Sequence, residues 1–213
     1  MIVFDLDHTL LSANSSFRFG LFLYRKNFFP FWTLLACLTD YARHKWLGMS
    51  LQNLHTRTFS RLFKGRTHLE ISSHADQFLN ENLSSLLFQP VFKRLKEAQS
   101  QEQPVLILSS SPDFLVREIA KRLEVNQWKG TPYLLDPEGR FCAISTVIDG
   151  VYKALYVKNL SVQLSLPLSA MTAYSDSALD LPLLTLVGRP IAVNPDSRLK
   201  KHCQKRGWEI LSA

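Results

Sequence analysis

The first apolar run of the chain, Ile2-Val-Phe4, ends directly on Asp5 and Asp7, and the next buried-strand pattern, Pro104 to Leu108, comes far downstream. Roughly ninety residues separate these strands, well beyond an ordinary crossover connection, which implies an inserted module. Inside that interval the apolar spacing predicts helices over 15–26, 31–45, 50–63 and 67–83, broken at Asn27 to Pro30, Gly48 and Gly65. A further helix over 90–99 leads back into the strand at Pro104. The longest uncharged run, Asn27 to Thr39, is shorter than the about 20 apolar residues a bilayer crossing needs.

From there the pattern alternates. Val105 to Leu108 reads as a strand, Pro112 to Leu123 as a helix, Ala170 to Tyr174 as a strand, Ala178 to Leu186 as a helix and Pro190 to Val193 as a strand. Asn194-Pro195-Asp196 opens a basic helix, with Asn194 as its cap and Asp196 in its first turn. Trp208 to Leu211 adds a last strand. Between Tyr133 and Ile148 the Asp136-Pro-Glu-Gly139 turn joins two β-rich arms, followed by a helix from near Val151. The prediction is an α/β fold, a doubly wound, mostly parallel, Rossmann-like sheet with an inserted α-helical cap. The division would be 1–13 and 88–213 for the α/β core and 14–87 for the cap.

Composition fits this outline. The chain has 213 residues, 46% hydrophobic and 20% charged, enough for one enzyme-sized core and unlike a disordered or fibrous sequence. Cys37, Cys142 and Cys203 are odd in number and far apart, which disfavours a disulfide framework or a zinc site. With no basic leader ahead of the first strand, a cytoplasmic location is expected. The net charge of +7 is uneven: residues 14–66 hold nine basic residues against the single acid Asp40, together with twelve of the twenty-four aromatics. A segment both greasy and cationic favours an anionic, partly apolar partner, so peripheral contact with the inner face of a membrane through the cap is a companion expectation. No nucleic-acid recognition motif accompanies the charge, and no nucleic-acid partner is expected.

Four segments carry candidate chemistry. Asp5 and Asp7 stand at a strand's carboxyl end, where open α/β sheets bind ligands, and suit a divalent cation and a nucleophile beside a general acid/base. Leu106-Ile-Leu-Ser109-Ser110-Ser111-Pro112 empties a buried strand into hydroxyls at a helix start, an anion site in which Ser109 is the phosphate contact and Ser111 the helix cap. Lys153, in the first turn of the helix after the hairpin, would neutralise a phosphoryl oxygen. Asp176 and Asp180, four residues apart after another strand, approach one another.

The order Asp-x-Asp-x-Thr, strand-Ser, Lys, Asp-x-x-x-Asp resembles the haloacid dehalogenase superfamily of phosphohydrolases, and the early helical insertion resembles the cap of its phosphoserine phosphatase-like branch. That resemblance implies Asp5 as the nucleophile forming an aspartyl-phosphate and Asp7 as the acid that protonates the leaving alkoxide and later activates water. It implies magnesium held by Asp5, the Asp7 carbonyl and Asp176, with Asp180 supporting, and Ser109, Ser110 and Lys153 on the phosphoryl oxygens. His8, where the family has a small residue, would crowd the site or add a titrating group, and Leu179 stands where a polar residue is common.

Such caps select the substrate. The aromatic, basic cap points to a lipid phosphate such as phosphatidylglycerophosphate; the alternative is a soluble ester such as phosphoserine, and a non-catalytic phosphate-binding module is a third reading. Arg57 and Arg61, one helical turn apart, are candidates for a second anionic group of the substrate. His44, His55, His68, His74 and His202 read as structural or surface residues.

Overall fold

A computed structural model describes residues 1–212. In chain order the elements are β1 (Ile2–Phe4), α1 (Ser15–Arg25), α2 (Phe31–Trp46), α3 (Leu51–Leu62), α4 (His68–Leu86), α5 (Gln89–Ser100), β2 (Val105–Pro112), α6 (Asp113–Arg122), β3 (Gln127–Thr131), β4 (Tyr133–Leu135), β5 (Phe141–Ile144), α7 (Gly150–Gln163), β6 (Thr172–Ser175), α8 (Leu181–Leu184), β7 (Arg189–Val193), α9 (Ser197–Arg206) and β8 (Glu209–Leu211). Six strands make one sheet in the order β3-β2-β1-β6-β7-β8, with every neighbouring pair parallel. The strand order reverses at β1, so the crevice at its carboxyl end is a topological switch point, where such sheets bind ligands. Strand β3, on the outer edge beside β2, has no counterpart in the sequence reading; Gln127-Trp-Lys-Gly-Thr131 lacks a run of apolar residues.

Alternate side chains of the strands sort to opposite faces, as the period of two requires. Phe4, Ile107, Tyr174, Ile191 and Val193 enter one core with α5 and α6, whereas Val3, Leu106, Leu108, Ala173 and Ala192 enter a second with α7, α8 and α9. The insertion α1 to α4 shares the first core, since Phe19, Phe22 and Phe78 pack in the same cluster as Phe4. The β4–β5 hairpin is clamped to it as well: Gly65 N donates to Phe141 O at 2.8 Å, Phe141 N to Arg66 O at 2.9 Å and His68 N to Gly139 O at 2.9 Å. Sheet and insertion therefore meet over a continuous apolar contact. No helix among the described residues is long and apolar enough to cross a membrane.

Helix ends follow local chemistry, with two corrections. Asn14, Ser50 and Thr67 cap α1, α3 and α4 by accepting backbone N–H groups. Ser111 is not the cap of α6: the strand runs on through Pro112, and the helix starts at Asp113. Nor does Asn194 cap α9; that role belongs to Asp196, whose carboxylate accepts Arg198 N at 2.9 Å and Leu199 N at 2.8 Å. A capping carboxylate takes two orphan donors and suits the positive end of the helix dipole.

The pairing of α2 with α3 turns on Asp40, the sole buried residue of α2. One of its oxygens receives Arg57 at 3.4 Å with Arg43 at 3.8 Å, and the other is paired with Arg61. A buried carboxylate without a cation is costly, so these arginines are fixed by the fold. Arg61→Ala is expected to lower stability by about 2 kcal/mol, read as a lower urea midpoint at unchanged slope.

Candidate active site

Backbone bonds bring the strand ends together. Asp5 N donates to Tyr174 O at 3.0 Å, and Phe4 stacks on Tyr174 with ring centroids 4.7 Å apart, so the end of β1 is registered against that of β6. The chain then makes one wide turn over Leu6–Leu10 with His8 at φ 58°. This left-handed residue lets Asp5 and Asp7 both present carboxylates while Leu6 and Leu10 stay buried. His8 is exposed and lines the cavity beside Asp5 and Asp7.

Lys153 is the centre of the arrangement. Only 4% exposed, it donates to Asp5 Oδ1 at 2.6 Å and to Asp180 Oδ2 at 2.7 Å, and Ser175 Oγ gives Asp180 Oδ2 a further bond at 2.7 Å. Burial by itself opposes its charge, but Asp180 and Asp5 outweigh that and raise its pKa. Thr9, fully buried, lies between Asp5 Oδ2 at 3.4 Å and Asp176 Oδ1 at 3.5 Å. Burial pushes Asp5 up to about 7 against the pull of Lys153. Burial together with the charge of Asp5 pushes Asp176 up to about 8. Three carboxylates thus share one ammonium, a deficit of positive charge that a dication would fill.

Asp7 belongs to a different network. Its Oδ1 accepts Ser15 N at 2.7 Å, and its Oδ2 accepts Ser111 Oγ at 2.6 Å and Asn14 Nδ2 at 3.4 Å. Ser111 has one hydroxyl proton and gives it to Asp7, so Ser16 must donate to Ser111 Oγ across 2.7 Å. The end of β2 therefore orients the second carboxylate. Ser109 is 1% exposed and its Oγ accepts Ser111 N at 3.1 Å, whereas Ser110 and Ser111 line the cavity. Behind them Thr131 Oγ donates to Ser110 O at 2.6 Å and accepts Ile148 N at 3.2 Å, tying β3 and the approach to α7 into the site.

The fit to magnesium follows from the donors: Asp5 and Asp176 offer carboxylate oxygens of raised pKa on either side of Thr9. Among the described residues no group of three or more His, Cys, Asp or Glu side chains is arranged to hold a metal. A carbonyl and water would complete the shell of a hard cation, and magnesium commonly keeps waters.

These groups open into a cavity of about 1220 Å³ between sheet and insertion, walled on the cap side by Phe17, Leu34, Leu38, Tyr41 and Leu54. Arg57 and Arg61 do not line it; they are held by Asp40, which corrects their expected role as substrate contacts. Two histidines read as structural or surface do line it, His44, whose Nδ1 lies 2.7 Å from Met49 O, and His55. Their apolar helix positions gave no sign of a shared cavity. Leu179 is exposed at the cavity rim, and its backbone N–H donates to Ser177 Oγ at 3.2 Å.

The comparisons with known proteins agree with this geometry. The pattern of the haloacid dehalogenase-like hydrolases matches residues 2–185. The chain belongs to that family. Phosphoserine phosphatase SerB1 of Mycobacterium tuberculosis is 30% identical over 212 residues, 97% of this chain and 68% of that protein. A Bordetella pertussis protein of unknown function has the same fold with TM-score 0.88 at 23% identity, covering 99% of this chain and 97% of the other. A phosphoserine phosphatase solved as a phospho-aspartyl intermediate analogue superposes with TM-score 0.70 at 14% identity, over 99% and 91% of the two chains. The protein is accordingly a haloacid dehalogenase-type phosphatase of the phosphoserine phosphatase-like branch.

Two outcomes follow from the site. A Cβ on Gly150 would lie 1.8 Å from the Leu179 carbonyl oxygen, so Gly150→Ala must push α7, and Lys153 with it, away from Asp5. A shift of that order should lower kcat/KM by about tenfold or more, measured by steady-state phosphate release. Burial and nearby His44 push His55 down to about 4. Its folded pKa lies below the unfolded value of 6.5, so the unfolded chain takes up the proton first and stability falls as pH drops from 6.5 toward 4. Replacing it by His55→Gln should flatten that limb of a stability–pH profile obtained by urea denaturation.

Proposed function

We propose that this phosphatase hydrolyses a small phosphomonoester in a magnesium-dependent reaction through an aspartyl-phosphate on Asp5, with phosphoserine as the reference substrate. The observation that carries the reading is the buried set Asp5, Lys153 and Asp180, with half-buried Asp176 beside it, at the open end of β1. In the reaction an Asp5 carboxylate oxygen attacks phosphorus, the bond from phosphorus to the ester oxygen breaks, and Asp7 gives that oxygen its proton. Asp7 then takes a proton from water, whose oxygen attacks the acyl phosphate, releasing inorganic phosphate and restoring Asp5. Lys153 opposes charge on the phosphoryl oxygens, assisted by the Ser110 side of the β2 end and by Ser109 beneath it. Bound between Asp5, the Asp7 carbonyl and Asp176, magnesium would screen the repulsion between the attacking carboxylate and the phosphoryl group. Asp180 acts by fixing Lys153.

The named relatives support a soluble ester over a lipid, reversing the order of the sequence expectation. A lipid phosphomonoester such as phosphatidylglycerophosphate stays as a second reading because Phe17, Leu34, Leu38 and Leu54 give the cavity an apolar wall. Neither Arg57 nor Arg61 reaches that wall to hold a second anion.

The test is magnesium-dependent phosphate release from phosphoserine, other soluble esters and phosphatidylglycerophosphate. Asp5→Asn is expected to reduce turnover about a thousandfold or more, and Asp7→Asn about a hundredfold or more. Chelation by EDTA should abolish turnover and added magnesium restore it. Turnover confined to the lipid would replace the soluble reading with the second, and no Asp5-dependent release from any ester would leave only a phosphate-binding module.

A further inference from the structure

Helix α2 is covered on one side only. Asp40 is its one buried residue, while Trp32 is 74% exposed, Trp46 73% and the following Leu47 77%. Trp32, Leu35, Thr39, Ala42 and Trp46 recur at three- and four-residue steps, which puts an apolar, aromatic stripe along one side of the helix. Exposed Arg25 and Lys26 end α1 ahead of the helix, and in its last turn exposed Lys45 lies over the Trp46 ring, 5.7 Å from the centroid, and reaches the cavity rim, while Arg43 is shared with Asp40. The only acid between residues 14 and 66 is Asp40, and it is turned inward onto arginines. This face offers apolar rings and cations and no anion.

The charge selects the occupant. A second copy of the chain would bring this cationic face against itself, which repulsion opposes. An anionic phospholipid surface supplies both complements, acyl chains for the stripe and phosphates for its flanks. At sixteen residues α2 is about 24 Å long, too short to span a bilayer but suited to lie in its interface, with tryptophans at both ends.

We propose that α2 docks the enzyme peripherally on anionic phospholipid membranes, with Trp32, Leu35, Trp46 and Leu47 in the interface and Arg25, Lys26 and Lys45 against lipid phosphates. The neighbouring side of the same helix supplies Leu34, Leu38 and Tyr41 to the cavity wall, so docking brings the entrance to headgroup level. The proposal rests on this surface and holds for a soluble or a lipid substrate.

The experiment is flotation of the full chain with phosphatidylglycerol-rich or pure phosphatidylcholine vesicles at low ionic strength, with tryptophan fluorescence as a second readout. Binding to the anionic vesicles, a blue shift, and weakening with added salt are expected. The double variant Trp32→Ala, Trp46→Ala should bind about tenfold or more weakly while hydrolysing a soluble ester at the parent rate, since neither tryptophan lines the cavity. Asp5→Asn should bind vesicles like the parent, which separates docking from occupation of the active site. Absence of anionic-vesicle binding, equal binding by the double variant, or dimerisation through these tryptophans without vesicle binding would each overturn the proposal.

Discussion

The buried contact of Lys153 with Asp5 and Asp180 is the constraint on which the remainder of this structure depends. An ammonium this deeply buried stays charged because two carboxylates meet it at hydrogen-bond distance. Those carboxylates come from the ends of β1 and from the turn after β6, while the lysine comes from α7, so the triad requires three segments to arrive together. Tyr174 accepting Asp5 N, and Gly150 passing against the Leu179 carbonyl, are the contacts that bring them. The second dictates a side-chain identity by distance: no residue with a Cβ fits at Gly150.

The two carboxylates of the first motif are separated by environment rather than by sequence. Asp5 is buried and tied to the ammonium; Asp7 is half-buried and held by Ser15 N, Ser111 and Asn14. That division suits a nucleophile and a proton carrier, since the first needs a fixed, desolvated position and the second needs access to the leaving group and to water. The hydroxyl chain from Ser16 through Ser111 to Asp7 also joins α1 to the end of β2, so the orientation of the proton carrier depends on how the insertion is seated.

The alternation of strands and helices and the ninety-residue interruption were legible because burial on both faces of a parallel sheet writes itself as short apolar runs. Asp5, Asp7, Asp176, Asp180 and Lys153 were legible as candidates for one cluster because each follows such a run or opens a helix. Strand β3 was not, since an edge strand with one partner needs no apolar run. Ser111 as a partner of Asp7, and the placement of Arg57 and Arg61 on Asp40, depend on contacts between segments distant in the chain, which spacing along one helix does not encode. His44 and His55 were missed for the same reason: their shared cavity exists only once α2 and α3 are pinned together.

Asp40 shows why catalysis and recognition are separable here. By drawing Arg57 and Arg61 inward it keeps their guanidinium groups out of the cavity, whose cap-side wall is left to leucines, phenylalanines and tyrosine with His44, Lys45 and His55. The same inward pairing hides the only negative charge of residues 14–66 and leaves the outer side of α2 to tryptophans and to Lys45 over the Trp46 ring. A single buried carboxylate therefore shapes both surfaces of one helix, largely apolar toward the cavity and rich in exposed aromatic rings toward solvent. The side chains of α2 can thus change on either surface of the insertion while Lys153 and its carboxylates, held by β1, β6 and α7, stay in place.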